Sequence, residues 1–176
     1  MNFIRVTLLV TIGALLLAAC KSSEASKSEA AKQPQTPSTE VRNSDGETAL
    51  LRAVNTGNTV EVRRLLDSGA QVDAPNNAGV TPLMNAAGMG NKDVVQMLLA
   101  KGADVNHRTP GNYTPLMQAA LVGQAEIVKI LLDAGADASV KDTGGRTAAD
   151  YAKEKEHKEI VDMLKAKTGS SSAGRG

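Results

Sequence analysis

The chain has 176 residues, a length that suits a single domain, and carries 20 basic and 19 acidic residues for a formal net charge of +1. That balance argues against an electrostatic nucleic-acid footprint or a polybasic membrane surface. With no Trp, one Phe and two Tyr, the composition also argues against an aromatic globular core and favours one built from Leu, Val and Ala.

Residues Met1 to Cys20 read MNFIRVTLLVTIGALLLAAC, with Arg5 as the sole charge and an apolar run from Val6 to Leu17. The run is short for a membrane span and fits a secretory signal peptide over residues 1–19. Leu17-Ala18-Ala19-Cys20 resembles a bacterial lipobox. That resemblance implies cleavage before Cys20 and a diacylglycerol on its thiol. Cys20 is the chain's single cysteine, so no disulfide is expected. Residues 20–44, rich in Ser, Ala, Lys and Glu with Pro34 and Pro37, lack apolar periodicity and read as a lipidated Cys followed by a disordered tether. As a flexible coil such a tether spans about 25–30 Å. Lys21 follows Cys20, which leans towards the outer membrane and a domain facing the periplasm.

From residue 45 the chain repeats. Thr48, Thr81, Thr114 and Thr147 are 33 residues apart, as are Gly57, Gly90 and Gly123, and Gly69, Gly102 and Gly135. A fixed period of this length means stacked supersecondary units. Within a unit, Thr81 suits a helix N-cap and Pro82 the first helical position. Gly90 and Gly102 suit the ends of two helices. Val94, Val95, Leu98 and Leu99 form an apolar stripe on the second helix, and the polar segment Asp104 to Asn112, with Pro110-Gly111, reads as a projecting turn.

The unit resembles the ankyrin repeat through Thr81-Pro82-Leu83, Ala86-Ala87, Gly90, Val94-Val95, Leu98-Leu99 and Gly102-Ala103-Asp104-Val105-Asn106. The His that follows T-P-L in the family is replaced by Met84 and Met117. The expectation is an all-α ankyrin-repeat solenoid of four stacked helix-turn-helix repeats with projecting β-turn loops, at residues 45–167. The repeats fall at about 45–76, 77–109, 110–142 and 143–167, and residues 168–176 read as a disordered tail. Leu98, Leu99, Leu131 and Leu132 are expected in the core. Glu61 and Arg64 in the first repeat, and Lys153, Glu156 and Lys165 in the fourth, stand where other repeats hold apolar or small residues. They mark the two ends as caps, and a monomer is expected.

No constellation for catalysis or metal binding emerges, and no cofactor is expected. His107 and His157 are far apart in sequence without neighbouring ligands, and exposed structural roles are expected for both. Gly144-Gly145 lacks the context of a phosphate loop, and the recurring Asp104 and Asp137 belong to the Gly-Ala-Asp turn. Recognition remains. The residues four, seven and eight after each Thr share one face of the first helix. In the ankyrin family this face and the turn tips line a concave groove that binds proteins. Carried onto this chain, the candidate contacts are Asn85, Met89, Tyr113, Gln118, Leu121, Val122 and Tyr151, with Arg108 and Lys141 at the turn tips. An exposed apolar patch with a polar rim marks an interaction site. The alternative is that Met89, Leu121 and Val122 pack against the neighbouring helix. The reading is an envelope lipoprotein whose repeats bind a protein partner as adaptor, inhibitor or stabiliser. The alternatives are a stress-protection factor for a periplasmic redox enzyme, an immunity protein against a secreted toxin, and an enzyme with an unrecognised site.

Overall fold

A computed structural model describes residues 41–172, with side chains through Thr168. The expected signal peptide, Cys20 and most of the expected tether lie outside the described residues. Eight helices and no strand occur among the described residues: α1 (Ala49–Asn55), α2 (Thr59–Asp67), α3 (Pro82–Met89), α4 (Lys92–Ala100), α5 (Pro115–Val122), α6 (Ala125–Asp133), α7 (Ala148–Glu154) and α8 (Lys158–Ser172). They form four helix pairs in two layers. The first helices pack in the order α1, α3, α5, α7, the second helices in the order α2, α4, α6, α8, and each first helix packs on its own second helix.

Local chemistry explains each pair. Thr48, Thr81, Thr114 and Thr147 hold extended backbone and accept a hydrogen bond at Oγ1 from the amide three residues on, so each caps its first helix. Pro82 and Pro115 occupy the first turn, where a missing N–H costs nothing. The second helices start on Asn58 and Asn91, whose side chains cap the amides of Glu61 and Val94. The turn between paired helices needs a left-handed residue. Gly123 supplies it at φ +89, and a Cβ there would also meet the His157 ring at 2.6 Å. In the fourth repeat the same place is taken by Glu156 at φ +60, an arrangement that disfavours any residue but glycine.

The core runs between the layers. Leu65, Leu98, Leu131 and Leu164 recur every 33 residues and all are buried, as are Ala53, Ala86, Ala119 and Ala152 on the facing helices. The small Ala side chains let the helices approach closely. Met84 and Met117 are buried as well, where the family has His. Of the four expected core leucines, Leu98, Leu131 and Leu132 are buried. Leu99 is only half-buried, although its equivalents one repeat away on either side, Leu66 and Leu132, are buried.

Other details depart from expectation. The tether was expected to reach residue 44, yet Arg42 donates to the carbonyls of Gly46 and Pro75, and Asn43 Oδ1 accepts from the amides of Asp45 and Glu47. These bonds make 42–44 part of the first turn. The tail was expected to be unstructured from residue 168, but α8 continues through Gly169 to Ser172. His107 and His157 are half-buried rather than exposed. Their Nε2 atoms lie 3.0 Å from the Gly79 carbonyl and 3.3 Å from the Leu121 carbonyl, respectively. At the ends of the stack, Arg64, Lys153, Glu156 and Lys165 are exposed.

Candidate protein-binding groove

One face of the first-helix layer collects the residues four, seven and eight after each capping Thr. In the first repeat Arg52, Asn55 and Thr56 are exposed. In the second, Asn85 is half-buried and donates to Asn55 Oδ1 at 2.6 Å, which ties the two repeats together, and Met89 is exposed at 48%. In the third, Gln118 and Leu121 are half-buried, and Leu121 packs against the core. Val122 is exposed at 47%. Met89 and Val122 therefore stay in solvent at equivalent places on adjacent repeats, with polar Thr56 and Lys155 at the flanking equivalents. The other large exposed hydrophobics among the described residues, Val41 and Val60, belong to the first repeat and its entry.

The fourth repeat differs. Tyr151, expected to be exposed on this face, is buried at 6%. Tyr113 meets it edge to face, with ring centroids 5.4 Å apart and planes at 89°, a favoured geometry for aromatic pairs. Arg146 covers the Tyr151 ring, with its Cζ 4.3 Å from the centroid. Tyr113 and Arg146 sit one residue before successive capping Thr residues, so the repeat stacks them side by side at the rim. The Tyr151 hydroxyl donates to Asp142 Oδ2 at 2.5 Å and accepts from Arg146 at 2.6 Å. Arg146 also pairs with Asp142 at 3.2 Å, and the Asp142 side chain is 7% exposed.

This cluster fixes charge states. The Tyr151 hydroxyl, followed by the Arg146 amide, holds the Asp142 carboxyl down to about 2. Burial pushes Tyr113 up to about 12, and burial with the nearby Asp142 carboxylate does the same to Tyr151. Both phenols are neutral over the ordinary pH range. The Tyr113 hydroxyl is buried without a hydrogen-bond partner. Tyr113 as a whole is half-buried, so the two aromatics serve the rim as packing rather than as free hot spots. Arg108 and Lys141 are exposed on the segments leading into the third and fourth turns, one repeat apart.

Among the described residues no group of three His, Cys, Asp or Glu side chains is placed to hold a metal ion, and no helix is long and apolar enough to cross a membrane. What the face offers is a shallow apolar pair within polar surroundings.

A family model described as ankyrin repeats in three copies matches residues 15–109, over half of the chain, and a second, for ankyrin repeats in many copies, matches residues 98–152. The chain belongs to the ankyrin-repeat family. No curated protein matches it. Ankyrin repeats are interaction modules, generally without enzymatic activity, and point to a protein partner. Within the ankyrin domain of this chain, the face just described is where Asn85, Met89, Gln118 and Val122 come together. Leu121 adds only part of its surface, and Tyr151 is withdrawn from it.

Proposed function

We propose that this chain is a bacterial envelope lipoprotein, anchored through Cys20 and facing the periplasm, whose ankyrin domain binds a protein partner through the Met89–Val122 face. The observation that carries the binding surface is the exposure of those two apolar side chains at equivalent places on adjacent repeats. Leaving two such groups in water costs stabilisation that burial would supply, and a partner supplies that burial. Support for the anchor comes from the sequence: an apolar run with one basic residue, ending in the single cysteine at Leu17-Ala18-Ala19-Cys20. Two or more acyl chains are what stable anchoring requires.

The groove sits on rigid helices whose cores are shared between repeats, so the partner meets a preformed surface. A tethered binder of this kind restricts its partner to the membrane surface, as an adaptor, inhibitor or stabiliser would. The experiment has two arms. Cys20→Ser should move the protein from the membrane fraction to the soluble fraction or leave it uncleaved; unchanged partition and mass would refute the anchor. Capture from envelope extracts should return a stoichiometric partner with the intact chain and lose it with Met89→Asp/Val122→Asp. Retention by that variant would refute the surface.

A further inference from the structure

The four turns that project from the stack are built alike. Asn43, Asn76, Thr109 and Asp142 each accept, at the carbonyl, from the amide three residues on, and each donates its own amide to the carbonyl four residues on. With the turns in register, the second residue of one turn faces the third residue of the turn before. Asn77 N–H donates to Asp45 O at 3.0 Å, and Thr143 N–H donates to Gly111 O at 3.1 Å. The residue that would make the same bond between the second and third turns is Pro110, opposite Ala78. Proline has no N–H to give.

Side chains do not make up the difference evenly. Between the first and second turns, Asn77 Nδ2 also donates to Ser44 O at 3.1 Å, and Arg42 reaches Pro75 O. Between the third and fourth, Asn112 Nδ2 donates to Lys141 O. Between the second and third, the Pro110 ring lies so close to Gly79 that a Cβ there would meet its Cδ at 2.6 Å. That contact is van der Waals and has no direction. The directional contact that reaches a turn residue here is His107 Nε2 on the Gly79 carbonyl, at 3.0 Å; below the turns, the Asp104 amide donates to the Asp73 carboxylate at 3.0 Å.

We infer that the row of turns has a hinge between Gly79 and Pro110, with His107 as its latch. The first and second turns move as one body and the third and fourth as another, while the helix layers stay joined through their common core. His107 is a positioning residue here. The hinge lies between the repeats that carry Met89 and Val122, at the N-terminal ends of α3 and α5, whereas that pair closes the same helices at their C-terminal ends. The inference stands on the bonding of the turns and is independent of whether the face binds a partner.

Amide hydrogen exchange of the full chain tests it. His107→Ala should speed exchange at the Gly79 and Thr109 amides by about tenfold, the factor for losing one ordinary hydrogen bond. The Asn77 and Thr143 amides, which bridge the other junctions, should keep their rates. His107→Gln, which retains a donor, should fall in between. Pro110→Ala should act in the opposite sense, slowing Gly79 and Thr109 and giving residue 110 a protected amide of its own. Unchanged rates in His107→Ala, an equal rise at Asn77 and Thr143, or an unprotected amide in Pro110→Ala would each overturn the hinge.

Discussion

Replacing Tyr151 by Ala removes a ring that is 6% exposed, stacked edge to face with Tyr113 and covered by Arg146. Truncation of a buried aromatic costs about 3–5 kcal/mol where the site cannot collapse. Here Arg146 is half exposed and free to move into part of the space, which places the expected loss near the lower end, about 3 kcal/mol. Tyr151→Phe keeps the ring and deletes the hydroxyl that donates to Asp142 and accepts from Arg146; because those two stay paired with each other, its loss should be smaller, about 1.5–2 kcal/mol. Urea unfolding followed by circular dichroism reads both values, and an unchanged slope against denaturant shows that the compactness of the end states is the same. A loss below about 1 kcal/mol in Tyr151→Ala would mean the residue is not packed as described and belongs to the open face after all.

Three further outcomes follow from the same contacts. Leu98→Ala should destabilise by about 2–5 kcal/mol, and the half-buried Leu99→Ala by clearly less in the same urea assay; equal losses would contradict the burial pattern. Glu156→Gly should raise the unfolding free energy by up to about 1 kcal/mol, because relief of a left-handed glutamate outweighs the added chain entropy of glycine; a loss would show the left-handed turn is otherwise satisfied. Asp142 has its carboxyl held at about 2 against an ordinary 3.8, so its contribution to stability is fully present above pH 3.8 and is lost as pH falls through 2. The melting-temperature gap between the native chain and Asp142→Asn should therefore be constant from pH 7 to about 4 and close between pH 4 and 2; a gap that widens on acidification would refute this.

The period of the repeat made most of the fold legible. Threonine before proline, glycine at fixed offsets and an apolar stripe of leucine and valine each dictate one local feature, and their 33-residue spacing stacks those features in register. The second-helix caps were signalled by Asn58 and Asn91 directly after a turn glycine, a pattern easily read as loop. Helix-face geometry places Tyr151 on the groove, but it does not say what stands next to it. Tyr113 and Arg146 precede their threonines by one residue in neighbouring repeats, and only the stacking brings them over the ring. Leu121 illustrates the same limit: it shares a face with Val122, yet the neighbouring core takes up part of its surface while Val122 stays in solvent. His157 was unreadable for another reason, since its partner is the backbone carbonyl of Leu121, which no side-chain pattern encodes.

The claim that the Met89–Val122 face binds a protein is tested most directly by calorimetric titration of the captured partner, once purified, against four single variants. Met89→Ala and Val122→Ala should each weaken binding by about 1–3 kcal/mol with little change in melting temperature, since both side chains are already in solvent. Lys101→Ala and Lys129→Ala, exposed on the second-helix layer, should bind as the native chain does. Full affinity in the Met89 and Val122 variants, with loss in the lysine variants, would place the binding surface on the other layer and contradict the account.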